Sequence, residues 1–212
     1  MTDVQGHHPV GTAPATIRVM RPDEFPAVRA LSAHAFDDPT IATLLDLLRE
    51  SWAWSAELSF VAEADGELVG HVLYTRAFLD APARLVDVLV LSPLAVRLDQ
   101  RGRGVGSQLV RESLARLGRR DEPLVFLEGH PGFYPRLGFE RAHDAGFTAP
   151  SARIPADAFM VHRLPSFQPW MTGSLVYPDA FWRVDAVGLR GEQPGQSDVS
   201  APRSPSSSRS RH

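Results

Sequence analysis

The stretch "LSPLAVRLDQRGRGVGSQLVRESLARL", Leu91 to Leu117, passes from an apolar extended segment through a glycine-rich turn into an amphipathic helix. The spacing Arg101-x-x-Gly104-x-Gly106, with Gly102 added, removes side chains from a tight turn that opens a helix. The first N–H groups of a helix have no internal partner, and the helix dipole adds partial positive charge, so the junction is suited to cradling an anion. Glycine lets the backbone approach such a group closely. Arg101 and Arg103 add charge beside it. Two other phosphate loops do not fit: a Rossmann fingerprint opens the first crossover with GxGxxG, and a Walker loop needs a lysine followed by Ser or Thr. On this motif alone, a turn that merely joins strand to helix stays open.

Upstream of the turn, "RLVDVLVLSPLAV" is the longest apolar run and reads as a central strand, buried on both faces. Pro93 cannot donate to a ladder, so a bulge is expected there. Before it, Leu58–Ala64 and Glu67–Phe78 alternate about Asp65-Gly66 and form an antiparallel hairpin. Further upstream, Thr16–Met20 reads as a strand. "RPDEFPAVRALSAHAF" reads as a helix capped by Asp23, and "DPTIATLLDLLRESW" as a second helix with Ile41, Leu44, Leu45 and Leu48 on one face. Downstream come a helix over Val105–Leu117, a strand over Leu124–Glu128, the compact "GHPGFYPRLGFERA", and two late strands in "FMVHRL" and "GSLVYPDAFWRV".

These elements span residues 16–187, which are expected to form one domain. Residues 1–15 are expected to be a flexible arm, and the Ser/Pro/Arg-rich residues 188–212 a disordered tail. The adjacent His7 and His8 have no further ligands near them, so no metal is expected. Among the 212 residues there is no cysteine and no lysine, so all 22 basic side chains are arginine. That excludes thiolate nucleophiles, Cys-ligated metals and Schiff-base lysines. A net charge of -3 gives no general field for nucleic acid or anionic lipid. No run approaches the ~20 apolar residues of a membrane span, and the first residues lack a signal peptide's pattern. A cytoplasmic protein with a small partner is expected.

The element order, with "LAVRLDQRGRGVG" followed by "FYPRLGF", resembles the GNAT superfamily of acetyl-CoA-dependent N-acetyltransferases. The "SPLAV", "AFM" and "YPDAF" segments resemble a bacterial branch of predicted acetyltransferases. The resemblance implies an α/β domain of the α+β type: a mixed, mostly antiparallel, twisted sheet of about six to seven strands, helices on both faces, and a splay between strands four and five. It implies that the pyrophosphate of acetyl-CoA sits on the amides of Arg101, Gly102, Arg103, Gly104, Val105, Gly106 and Ser107. The pantetheine arm would lie beside Leu94, Ala95 and Val96, where the bulge at Pro93 opens the sheet.

By the same resemblance Tyr134 matches the phenol that faces the coenzyme sulfur and serves as general acid; a packing role for it stays open. The family's glutamate base falls near Val90, where this chain has no carboxylate. Glu128 and His130, at the end of the following strand, are the candidates for a base, with Asp87 further off and the absence of any dedicated base also open. The chain has no asparagine to match the one that bonds pantetheine in many relatives. Trp52, Trp54, Phe167, Trp170, Tyr177 and Phe181 could line an acceptor site or simply fill the core, and Asp37, Asp38 or Glu57 could attract a cationic amine.

The implied reaction is direct attack of a primary amine, on a small molecule, peptide or protein, upon acetyl-CoA in a ternary complex. A noncatalytic acyl-CoA-binding or regulatory module would keep Gly104 and Gly106 while dispensing with Tyr134. The arginine-bearing tail offers too few charges for strong nucleic-acid binding. A monomer and a homodimer are both compatible with the sequence.

Overall fold

The computed structural model describes residues 15–189. In chain order its elements are β1 (Thr16–Val19), α1 (Phe25–Phe36), α2 (Pro39–Arg49), β2 (Ser59–Ala64), β3 (Glu67–Asp80), β4 (Leu85–Val96), α3 (Val105–Leu117), β5 (Leu124–Glu128), β6 (Glu140–Arg141), β7 (Phe147–Thr148), β8 (Phe159–Arg163), β9 (Gly173–Val176) and α4 (Asp179–Arg183). The expected arm and tail, and His7 with His8, lie almost wholly outside these residues. Of their described parts, Ala15 is buried and the Leu189 amide bonds to the Arg153 carbonyl at 3.0 Å.

Asp65 and Gly66 take φ of 53° and 79°, the two positive values that a tight two-residue hairpin turn requires. β2 and β3 pair across it, and β3 pairs with β4 along nearly its whole length. Leu73 stands opposite the pair Ser92–Pro93, because Val72 meets Leu94 while Tyr74 meets Leu91. The bulge expected at Pro93 is therefore present. The sheet runs β1-β2-β3-β4-β5-β8-β6, with β9 on the far end of β3 and β7 on β9. Among the described residues only β4–β5 and β7–β9 are parallel.

Alternation along the strands divides the interior into two cores. Val86, Val88 and Val90, Leu124 and Phe126, and Phe159 and Val161 face α1 and α2, where Val28, Leu44, Leu45 and Leu48 meet them. Leu89 and Leu91, Val125 and Leu127, and Met160 face α3, which supplies Leu109, Val110, Leu114 and Leu117. Each such large side chain contributes about 1.5–3 kcal/mol when fully buried. α3 sits close because β3 has glycine beneath it: a methyl at Gly70 would lie 2.9 Å from Leu109 Cδ1.

Three expectations change. The sheet has nine strands rather than six or seven, the extra ones being two-residue pieces too short to show a period. Asp23 does not cap α1; it lies in a 3-10 turn, Pro22–Glu24, where Glu24 takes the Arg21 amide at 2.7 Å and the Arg18 guanidinium at 2.6 Å. The segment "GSLVYPDAFWRV" is half strand: Pro178 ends the ladder and Asp179 begins α4.

Candidate active site

β5 follows β4 for only two pairs, Leu89 with Val125 and Val90 with Phe126, and its later residues continue with β8 alone. Beyond Val90, β4 runs on with one edge open. The Arg97 amide donates to Val69 of β3 at 2.9 Å, so by the period of two the N–H and C=O groups of Leu94 and Val96 point to the open edge. Ala95 instead turns its backbone toward His71 on β3. Of the three residues expected along a ligand strand, Leu94 and Val96 turn their main-chain groups to the open edge, where the Val96 carbonyl accepts from Arg101 at 3.4 Å, and Ala95 backs them.

The open edge ends in the glycine turn. Gly102 and Gly104 have φ of 75° and 85°, a region that L side chains rarely enter, and Gly104 caps α3 with its carbonyl taking the Gln108 amide at 2.9 Å. The uncapped amides of the first turn face a groove of about 570 Å³. It is lined by Ala35 and Phe36 at the end of α1, by Leu94 and Val96, by the turn with Gly106 and Ser107, and by Phe133 and Arg136. A methyl at Gly106 would project between Val96 (3.4 Å), Phe133 (3.7 Å) and Leu94 (3.8 Å), so the bare backbone here keeps the groove open between the turn and the β4 edge. Val105 is buried beneath the groove.

The two arginines differ from a simple pair of phosphate ligands. Arg101 donates to the Ala35 carbonyl, and to that of Val96 at 3.4 Å, so its guanidinium braces the turn against the C-terminus of α1. Arg103 is exposed alongside. Arg136, not singled out from sequence, lines the groove and donates to the Gly132 carbonyl at 2.8 Å. Its distance along the chain from the glycine turn hid it. Phe36 and Phe133 were hidden for the same reason.

Tyr134 opens a 3-10 turn, Tyr134–Leu137, on the α3 side of the sheet. Its ring stands edge-on to Phe133 (4.9 Å) and Phe139 (5.5 Å) and lies over Gly129, where a Cβ would come within 2.2 Å of it. Burial pushes the phenol up to about 12, so it stays protonated. Glu128, next along β5, falls on the opposite side of the sheet with Leu124 and Phe126. Its carboxylate accepts the Gly188 amide at 2.9 Å and a bond from Tyr177; burial raises it above the ordinary range, and those donors with Arg153 oppose the rise. Tyr134 and Glu128 therefore flank the end of β5 from two faces.

His130 is exposed, and its Nδ1 accepts the Gly132 amide at 3.0 Å, which leaves the proton of a neutral ring on Nε2. Asp87 lies away from the splay, in a charged pocket of about 620 Å³ with Arg76, Arg84 and Arg120. Of the aromatic candidates only Tyr177 reaches Glu128. Trp52 stacks on Phe78 (4.7 Å), Trp54 packs edge-on to Phe25 (5.9 Å), Trp170 lies under Arg84 (5.2 Å), Phe167 lies under Arg163 (5.0 Å), and Phe181 is buried against Tyr177. Asp37 ends α1 with φ of 52°, Asp38 caps α2 through the Thr40 amide (2.8 Å), and Glu57 pairs with Arg120 (3.1 Å). Among the described residues no cluster of three metal-ligating side chains occurs, and no helix is long and apolar enough to cross a membrane.

Residues 16–142, more than half of the chain, match the family model for the acetyltransferase (GNAT) domain. The chain belongs to the GNAT acetyltransferases. This acetyltransferase is 34% identical over 151 residues to YhbS of Escherichia coli, an uncharacterized N-acetyltransferase, covering 70% of this chain and 86% of that one. With YjhQ, another uncharacterized N-acetyltransferase of that organism, it shares 36% identity over 124 residues, covering 58% of this chain and 68% of its relative. The crystal structure of YhbS in complex with CoA superposes with a TM-score of 0.73 at 32% identity, over 84% of this chain and 97% of that one. A GNAT family acetyltransferase from Brucella melitensis in complex with acetyl-CoA gives a TM-score of 0.63 at 27% identity, over 79% and 97%.

Proposed function

We propose that this acetyltransferase moves an acetyl group from acetyl-CoA to a primary amine of a small molecule, peptide or protein, by direct attack within a ternary complex. The observation that carries the reading is the continuity of one groove from the α3 N-terminus, where free amides suit a diphosphate, to the unpaired β4 edge at the splay. The CoA and acetyl-CoA complexes of its two structural relatives support the same donor, and their bacterial sources support a bacterial setting.

The donor supplies a thioester, and the residues of the chain do the rest. Amides from Gly102 to Ser107 hold the diphosphate, the Arg101 amide expected among them being taken instead by the Leu98 carbonyl at 3.3 Å, while the main-chain groups of Leu94 and Val96 take the amide-bearing arm as an added strand, with Ala95 behind them. The amine nitrogen then attacks the carbonyl carbon; a C–N bond forms and the C–S bond breaks. Tyr134, kept protonated by its burial, gives a proton to the departing sulfur. Glu128, on the other face, receives the proton that the amine must lose, directly or through water. His130 is less suited as base, because the nitrogen that holds its lone pair already accepts the Gly132 amide. Residues 16–187 form the catalytic domain in this reading.

An acetyl-CoA consumption screen across amino acids, polyamines, aminoglycosides and peptide N-termini tests it. Free thiol released above the hydrolysis background with at least one amine is the expected result; coenzyme binding with no release to any of them contradicts it.

A further inference from the structure

Two donors hold the Glu128 carboxylate, and both come from the end of the described chain. The Gly188 amide lies 2.9 Å from Oε2, and the hydroxyl of Tyr177, just past β9, donates to the same group. The segment carrying Gly188 is itself fastened. Val187 is fully buried, the Leu189 amide bonds to Arg153 at 3.0 Å, and Gly188 has φ of 63° with so little room that a Cβ would come within 2.5 Å of the Arg153 carbonyl carbon. Only glycine can bring its amide to the carboxylate there.

Tyr177 is buried, tilted against Phe181 at 5.1 Å, and its phenol is held far above the ordinary value by burial and by Glu128 itself. It remains a donor at every working pH. The charges that face Glu128 are Arg153 and, through a 3.2 Å ion pair with Arg153, Asp185. Burial alone would favour a protonated carboxyl, which can accept no proton from an amine. The donors act against it.

We infer that Tyr177 is a positioning residue for the acetyl transfer, its hydroxyl and the Gly188 amide together aiming the Glu128 carboxylate at the end of β5. The inference rests on the reading of Glu128 as base. It makes the segment from Tyr177 to Leu189 part of the reaction centre, although the matched GNAT domain ends at residue 142.

The test is a carbon-13 NMR titration of the full chain labelled at glutamate Cδ, with the Glu128 signal identified by its loss in Glu128→Gln. In Tyr177→Phe the ring keeps its packing and only the donor goes, so the Glu128 titration should move up by about one pH unit or more. A Glu128 midpoint unchanged by Tyr177→Phe overturns the inference. Acetyl transfer to the amine panel gives the second readout. The acid limb of the Tyr177→Phe profile should move to higher pH by the same amount, whereas a loss of rate with that limb unmoved would make Tyr177 merely structural. If wild-type protein acetylates none of the panel, the proposed function fails, and the titration still decides whether Tyr177 sets the state of Glu128.

Discussion

At Gly129 the missing Cβ decides where Tyr134 can stand, since its ring occupies the space that any side chain would need, 2.2 Å from the ideal Cβ. Gly129→Ala should therefore expel the ring while α3 and its groove stay intact: CoA affinity within about threefold of wild type, acetyl transfer down by about 100-fold, as general-acid losses usually are. Tyr134→Phe should give the same separation, checked by calorimetry beside single-turnover transfer. The place of Tyr134 in a compact turn after β5 was legible because "FYPRLGF" follows the glycine turn in the expected order. Gly129 was not, for in "EGHPGFY" it reads as one more turn glycine, and its role appears only when β5 and the 3-10 turn are brought together. The same holds for Tyr177, whose partner Glu128 lies far away in sequence with no periodic relation to it.

At the element scale, the β4–turn–α3 unit was readable because three signals coincide in it: an apolar run, a proline that breaks the ladder, and glycines ahead of an amphipathic helix. The two glycines of the turn do different work, and substitution should separate them. Gly104 stands at φ of 85°, so Gly104→Ala costs about 1 kcal/mol or more in strain and should lower the melting temperature. Gly106 is in the first turn of α3 with ordinary van der Waals room for a methyl. Gly106→Ala should therefore hold or raise stability, by about 0.5–1 kcal/mol, while weakening CoA binding tenfold or more, because the methyl projects into the groove. A denaturation curve and a binding isotherm on each variant check both. α4 was misread because "LVYPDAFWRV" alternates like a strand; Pro178 followed by Asp179 is the helix-start signal that outweighed the alternation.

At the scale of the whole fold, two cores press on one sheet, and the buried His71 ties the α1 side to it. His71 lies between the hydroxyls of Ser59 (3.0 Å) and Ser32 (3.4 Å), fully buried, and burial lowers it to about 3 from the usual 6.5. Because the unfolded chain binds this proton first as pH falls, stability should drop by about 1.4 kcal/mol per pH unit below pH ~6.5. Urea melts at pH 6.5 and 5 should differ by roughly 2 kcal/mol for that reason, and a flat profile would mean His71 is not buried neutral. On the other face, Leu109→Ala removes α3 from its seat on Gly70 and should cost about 2–5 kcal/mol. The groove is made where these two halves meet, at the end of α1, the open edge of β4 and the first turn of α3. Isothermal titration of the full chain with acetyl-CoA and with CoA lacking the acetyl group tests that construction most directly. Saturable one-to-one binding of both is expected, weakened at least tenfold by Gly106→Ala; folded protein that takes up neither ligand would contradict a coenzyme site in this groove.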